Sequence, residues 1–281
     1  FLLMEGHLQR LKKFLKPPCH RINWYSLVIQ DIISKFNSQL NIFNGVVKAI
    51  ERLSMDILNI LNQIENLHLF KMRAPLYEGH LYSCKEVFNF AFTQRDIDVD
   101  HVAKQVSCIG VLITKMETTI AGSSVPDTHS PNYIRFCSYW ERMIFKSINE
   151  MVLKNLRWFI YHFKRDEPYF SVEALLAPPD VILVPQSNDI YNTAMSSVRD
   201  MVARTKRFIR WLQGSCTEAP PQKVKFQDEP YIFSYYTDII SNQEILDLVA
   251  ECEEVVVKAV VNVHKYMSVW KRYRQLWRGD K

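Results

Sequence analysis

His80 and Cys84 stand four residues apart, the spacing at which two ligands share one face of a helix. Two ligands are not a metal site, and the simpler reading is a surface histidine near a buried thiol. Cys19-His20, beside Pro17-Pro18, is read the same way. The acidic run DIDVD (96–100) offers alternate carboxylates to a calcium ion, but it lacks the glycine and terminal glutamate of an EF-hand loop. It is read as a solvated loop. A nucleophilic triad needs a Cys or Ser beside a base in space, and eight histidines and six cysteines without a local signature select none. A di-iron helical enzyme needs Glu-x-x-His pairs on two facing helices, and the sequence does not supply two of them. The seven glycines fall in no phosphate-binding frame, and there is no His-Glu-x-x-His. Nothing in these residues argues for catalysis, a metal or a cofactor; they read as a scaffold or assembly piece.

One basic segment, RDMVARTKRFIRWLQG (199–214), sets Arg199, Arg204, Lys206, Arg207 and Arg210 against a single Asp200. Phe208, Ile209, Trp211 and Leu212 supply apolar contacts. Such a helix could lie on an anionic membrane or meet an acidic partner; the plainer reading is an amphipathic helix with a basic outer face. The end of the chain, KRYRQLW, has aromatics at heptad spacing, which suits a core better than stacking on bases. Neither nucleic acid nor a membrane is expected as a partner.

The elements that carry these residues follow from composition. The chain has 281 residues, 48% of them hydrophobic, enough for one core or two in series. Charged residues are 23% and the net charge is +5, which fits an anionic partner without requiring one. The scattered cysteines are read as reduced thiols. No apolar stretch approaches the roughly 20 residues that span a bilayer, and FLLMEGHLQRLKKFLK turns charged too soon for a signal peptide. The first residue is Phe rather than Met, so the chain is read as a piece of something longer.

Twelve prolines cluster at 17–18, 75, 126–131, 168–185 and 220–230. Proline breaks helix interiors, so helices are predicted over about 20–72, 82–121, 132–164, 187–213 and 234–278. In the first block Phe36, Phe43, Ile50, Ile57 and Ile64 recur every seven residues, with Leu40, Val47 and Leu61 as a companion series. In the last block Val249, Val256, Val263, Trp270 and Trp277 do the same, beside Cys252, Ala259, Tyr266 and Tyr273. Two such series define a heptad, coiled-coil-like seam. The first block has little charge outside its seam, which favours a helix packed on several sides in a bundle. The candidate partner-facing residues are Phe36, Phe43 and Ile57 in the first block, and Val256, Val263 and Trp270 in the last.

The fold class is therefore all-α: an elongated series of helical bundles with proline-rich joints. One helical segment covers 1–121, a loop covers 122–131, and a second segment covers 132–281 with its joint at 166–187. The joint is unusual. Pro168, Pro178, Pro179 and Pro185 fence an apolar run, Val181 to Val184, the best strand candidate in the chain. A polar linker would carry no such run. A packed joint is expected, built from Pro168, Phe170, Pro179, Val181, Leu183 and Pro185. It would join two bundles at a fixed angle, where a Gly/Ser joint would flex.

In combination these stretches resemble a known family. YWERMIFKSINEMVLKNLRWFIYHF (139–163) runs into PYFSVEALLAPPDVILVPQSNDIY (168–191); RFIRWL, YIFSYYTDIISNQEIL and VWKRYRQLWRGDK follow in order. The order resembles the N-terminal tail, or stem, of dynein heavy chains, most of all the axonemal ones. The positions that carry it include Trp140, Ile144, Met151, Asn155 and Leu156, then Phe170, Val172 and Ala174, and later Asp238, Asn242, Trp270 and Tyr273. INWYSLVIQDII (22–33) looks like the family's early helix start, and Tyr169 departs mildly from its pattern. The resemblance implies a non-catalytic segment of an ATP-driven, minus-end-directed microtubule motor, with ATP and Mg²⁺ held in a distant AAA+ ring. It implies intermediate and light chains, other heavy chains and docking proteins of doublet microtubules as partners, in the ciliary axoneme and in the cytoplasm during assembly. The alternative reading is an independent helical tether or membrane-surface scaffold.

Overall fold

A computed structural model describes residues 4–14, 27–122, 131–165, 169–177, 180–210 and 234–275. Among these the elements are α1 (Glu5–Phe14), α2 (Leu27–Glu65), α3 (Cys84–Ala121), α4 (Pro131–Phe163), β1 (Glu173–Ala177), β2 (Asp180–Val184), α5 (Ser187–Ala203), α6 (Tyr236–Ile240) and α7 (Gln243–Lys271). The all-α expectation holds, with one two-stranded hairpin added.

Local chemistry explains the helix starts. Ser83 and Glu86 close a capping box on α3: the Glu86 amide donates to Ser83 Oγ at 3.3 Å, and the Ser83 amide donates to Glu86 Oε2 at 2.9 Å. Pro131 opens α4, where its missing N–H is no loss. Asn242 caps α7 by accepting the Glu244 amide at 3.0 Å.

Helices α2, α3 and α4 pack together, and α7 lies across α4 and α5. One continuous apolar cluster runs from Ile57 through Val106, Ile148 and Val198 to Val256. That cluster draws on residues from both sides of 122–131.

Three predicted elements are corrected. A short α1, which was not anticipated, precedes the first block; within that block α2 covers only Leu27–Glu65, and the chain leaves the helix after Glu65 because Leu69 and Phe70 turn into the core. The fourth block stays α-helical only to Ala203, then tightens into a 3-10 turn over Arg204–Arg207. There the Thr205 hydroxyl donates to the Val202 carbonyl at 2.7 Å, and successive arginines diverge to acids on different elements. The predicted end of that helix near 213 lies outside the described residues. The last block contains a short α6 before α7, and α7, about 44 Å long, stops at Lys271.

Helix α2 also departs from expectation. None of its side chains before Ile57 is fully buried, so it does not pack on several sides along that length.

Candidate interfaces and the joint between helices

The run DIDVD is not a loop. It lies within α3, and its three aspartates meet cations from other elements. Lys71 reaches Asp98 at 2.6 Å. Arg207 reaches Asp96 at 2.6 Å and also pairs with Asp100, while Arg204 pairs with Asp96 and, at 3.1 Å, with Asp200. The Arg204 guanidinium lies 4.7 Å over the Phe92 ring. Partial burial alone would raise Asp96, but the Arg204 and Arg207 guanidiniums hold its carboxyl below the ordinary 3.8. The neighbouring basic stretch is thus turned inward. Arg204 and Arg210 are buried, and Arg210 meets Glu141 at 2.9 Å and Asp238 at 3.4 Å. Neither the membrane reading nor the basic outer face survives for these arginines. Trp211 and Leu212 lie outside the described residues.

A second polar group anchors the loop after α2. Asn155 Oδ1 accepts the Leu69 amide at 2.7 Å, and its Nδ2 donates to the carbonyls of Leu67 and Met151 at 2.8 Å each. Arg95, 1% exposed, donates from Nε to the Leu69 carbonyl at 2.7 Å. It also donates to Ser197 Oγ at 2.8 Å and pairs with Asp200 at 2.5 Å. Two buried side chains therefore satisfy backbone groups of an irregular segment that has no ladder of its own.

The joint is a β-hairpin between α4 and α5. Strands β1 and β2 pair antiparallel, with Leu175 opposite Ile182 and Ala174 opposite Leu183. Val181 and Leu183 are buried, and β2 lies against α7. The alternation along Asp180–Val184 has period two, which marks a half-buried strand. Phe170 is half-buried beside Phe88, and Tyr169 packs on Phe163 with centroids 4.9 Å apart. The Ser171 amide donates to the Tyr82 carbonyl at 2.9 Å, tying the segment to the start of α3. Pro185 follows a cis peptide bond and is half-buried. Pro168 and Pro179 lie outside the described residues. The helices joined, α4 and α5, share one core, so the expectation that the strip links two separate bundles is corrected.

The predicted partner-facing residues separate. Ile57 and Val256 are both 0% exposed and belong to the core, so they have no surface to offer. Phe36, Phe43 and Val263 are half-buried, and Trp270 is 40% exposed. The heptad seams are largely inward faces. On α7 the seam itself surfaces at Tyr266 and Trp270, and further exposed apolar residues lie off the seams: Ile33, Ile42, Met55 and Leu58 on α2, and Val257, Val261 and Val269 on α7. Heptad counting misses them because it selects the residues most regular in spacing, and the core claims those first. Their signal is apolar residues outside the seam in a helix already supplied with one.

The candidate ligands do not assemble. Cys84 is buried inside α3, His80 precedes the helix, and among the described residues no group of three His, Cys, Asp or Glu could hold a metal ion. The one Glu-x-x-His spacing, Glu65 and His68, spans the end of α2; Glu65 accepts from the Ser147 hydroxyl at 3.3 Å and His68 is exposed. Cys84, Cys137 and Cys252 are free thiols, and burial pushes them up to about 11, about 11 and about 12. No described helix is long and apolar enough to cross a membrane.

No family model matches the chain. Two curated proteins match it along nearly its whole length. Dynein axonemal heavy chain 10 of Homo sapiens is 34% identical over 280 residues, covering 100% of this chain and 6% of its own length. Dynein-1-alpha heavy chain of the flagellar inner arm I1 complex of Chlamydomonas reinhardtii is 29% identical over 289 residues, covering 99% of this chain and 6% of its own length. An identity of this size, sustained from end to end in heavy chains of a human and an alga, agrees with the resemblance carried by Trp140, Asn155 and the proline-fenced hairpin. The chain belongs, as a segment, to the axonemal dynein heavy chains.

Proposed function

We propose that this segment is part of the heavy-chain tail and serves assembly rather than catalysis. The observation that carries the reading is the end-to-end match to axonemal heavy chains, of which the chain spans only 6%. Its long helices and the absence of any phosphate-binding frame in the sequence support a place outside the motor ring. In this reading the segment carries no nucleotide site. ATP and Mg²⁺ act in the ring of the parent chain, a minus-end-directed microtubule motor. The tail binds intermediate and light chains and neighbouring heavy chains. It anchors the motor to docking proteins on the ciliary doublet after assembly in the cytoplasm.

The independent membrane tether is the weaker reading, because the arginines it requires are buried or ion-paired against α3. Deleting the counterpart of residues 27–275 from a full heavy chain in a flagellated cell tests the proposal. ATP turnover per heavy chain should persist, while incorporation into the axoneme and retention of accessory chains are lost. Loss of ATP turnover with normal incorporation would overturn it.

A further inference from the structure

An open groove of about 970 Å³ lies between the hairpin joint and the outer half of α7. Its floor is apolar and aromatic, with Tyr169, Phe170, Val255 and Val263. Its rim carries Lys164, Arg165 and Lys258, and none of its described lining residues is acidic. Lys164 is engaged by Glu251 at 2.6 Å, on the side of α7 away from its tip, and the Arg165 guanidinium lies 5.7 Å from the Tyr161 ring. Lys258 is exposed and makes no ion pair among the described residues. Beyond Glu254, α7 contains no further carboxylate, while Lys258, His264, Lys265, Lys271 and Arg272 follow. The same stretch is rich in apolar side chains left in water, Val257, Val261, Val269 and Trp270 among them.

We infer that this groove is the seat of an amphipathic helix from a partner chain, apolar on the face that enters and carboxylate-bearing along its flank. The wall supplied by α7 repeats at Val255, Lys258, Ala259, Asn262, Val263 and Tyr266, which are successive turns of one helix. That length is about 16 Å, or three turns, and it matches the i, i+3, i+4, i+7 anchors of a helix laid in a groove. Exposed Lys258 and the carboxylate-free outer half of α7 set the charge of the occupant: a positive field of this kind steers and registers an acidic partner and repels a basic one. A lipid surface fits poorly. The apolar floor is recessed between α7 and the joint, whereas a bilayer presents a broad face that needs a convex apolar stripe. Nucleic acid would meet a mostly apolar floor in place of a continuous run of phosphate-binding side chains.

The inference rests on the tail reading for the partner's setting, and its test can fail separately. A full heavy chain is purified from axonemes with its bound chains and treated with a carbodiimide, which joins a lysine amine to a carboxylate in direct contact. Mass spectrometry should find Lys258 or Lys164 joined to an Asp or Glu of a different polypeptide, within an amphipathic helical sequence. Lys258→Glu, on an exposed position that folding tolerates, should lower co-purification of that polypeptide by about tenfold or more. Lys258→Arg should keep binding while removing the Lys258 link.

Links from Lys258 only to carboxylates of the same heavy chain would overturn the inference by making the groove an internal contact. So would unchanged co-purification in Lys258→Glu. Salt-sensitive binding to phosphatidylserine vesicles that is lost in Lys258→Glu, with no protein link, would replace the helix by a lipid headgroup and overturn it too. Each of these outcomes leaves axonemal incorporation, and therefore the tail reading, to its own test.

Discussion

Asn155 shows how one side chain can hold a long irregular segment in place. Its amide satisfies the Leu69 N–H and the Leu67 carbonyl, both belonging to a loop with no regular backbone pairing. Asn155→Ala would leave two backbone groups short of partners in a dry setting, at about 1–3 kcal/mol each. The expected result is a fall in the denaturation midpoint with an unchanged slope; a change below about 0.5 kcal/mol would show that the loop finds other partners. Tyr169 makes the opposite case. Its hydroxyl is closed off from water without a partner among the described residues, and burial pushes the phenol upward. Tyr169→Phe removes an unpaired polar atom and keeps the ring on Phe163 and Phe70. It should leave stability unchanged or raise it by about 1 kcal/mol, measured by the same denaturation curve. The surrounding backbone separates a required polar group from a dispensable one.

At the scale of elements, the contact between α3 and the end of α5 is an ionic clasp. Asp96 is held below its ordinary 3.8 by Arg204 and Arg207. A depressed carboxyl contributes stability that is fully present above its unfolded value and is lost as pH falls through its folded one. The clasp should therefore be intact above about pH 4 and weaken below it. Asp96→Asn should destabilise the fold at neutral pH, make what remains less sensitive to salt, and flatten the acid limb of a stability–pH profile. An acid limb identical to the parent's would remove Asp96 from the clasp. Glu86, also held low by its bonds to Ser83, shares that acid limb and would survive the substitution.

The clasp also marks what could be read from the sequence. Helices α3 and α4 were legible nearly to the residue because prolines fence both of them, Pro75 and Pro126 around one, Pro131 and Pro168 around the other. The strand at Val181 to Val184 was legible because it is apolar between prolines. Its partner β1 was not, since EALLA carries no strand propensity and pairs only because the register brings it opposite β2. DIDVD and the arginine run could not be matched, because opposite charges about a hundred residues apart leave no local trace. Each stretch read alone looks solvated, and only tertiary pairing turns them toward each other.

On the scale of the whole molecule, the core is off-centre along α2 and α7. In α2 burial is complete only at Ile57, Leu61 and Ile64, and in α7 nothing beyond Val256 is fully buried. Each helix thus leaves the shared cluster with apolar side chains exposed: Ile33, Ile42 and Met55 on one, Val257, Val261 and Trp270 on the other. Packing, rather than intrinsic propensity, supplies most helical stability in proteins, so these lengths should open locally at low cost when the segment is alone. Amide exchange on the isolated segment should show slow exchange around 57–64 and 245–256, and exchange faster by orders of magnitude over 27–50 and 260–271. In the full heavy chain bound to its partners, the fast stretches should become protected, because the helix face then has something to pack on. If 27–50 and 260–271 were as slow as the core in the isolated segment, the helices would be self-sufficient and their exposed faces would need no partner. If they stayed fast in the assembled motor, the faces would be open surface there too, and the assembly role would have to rest on the joint and the clasp alone.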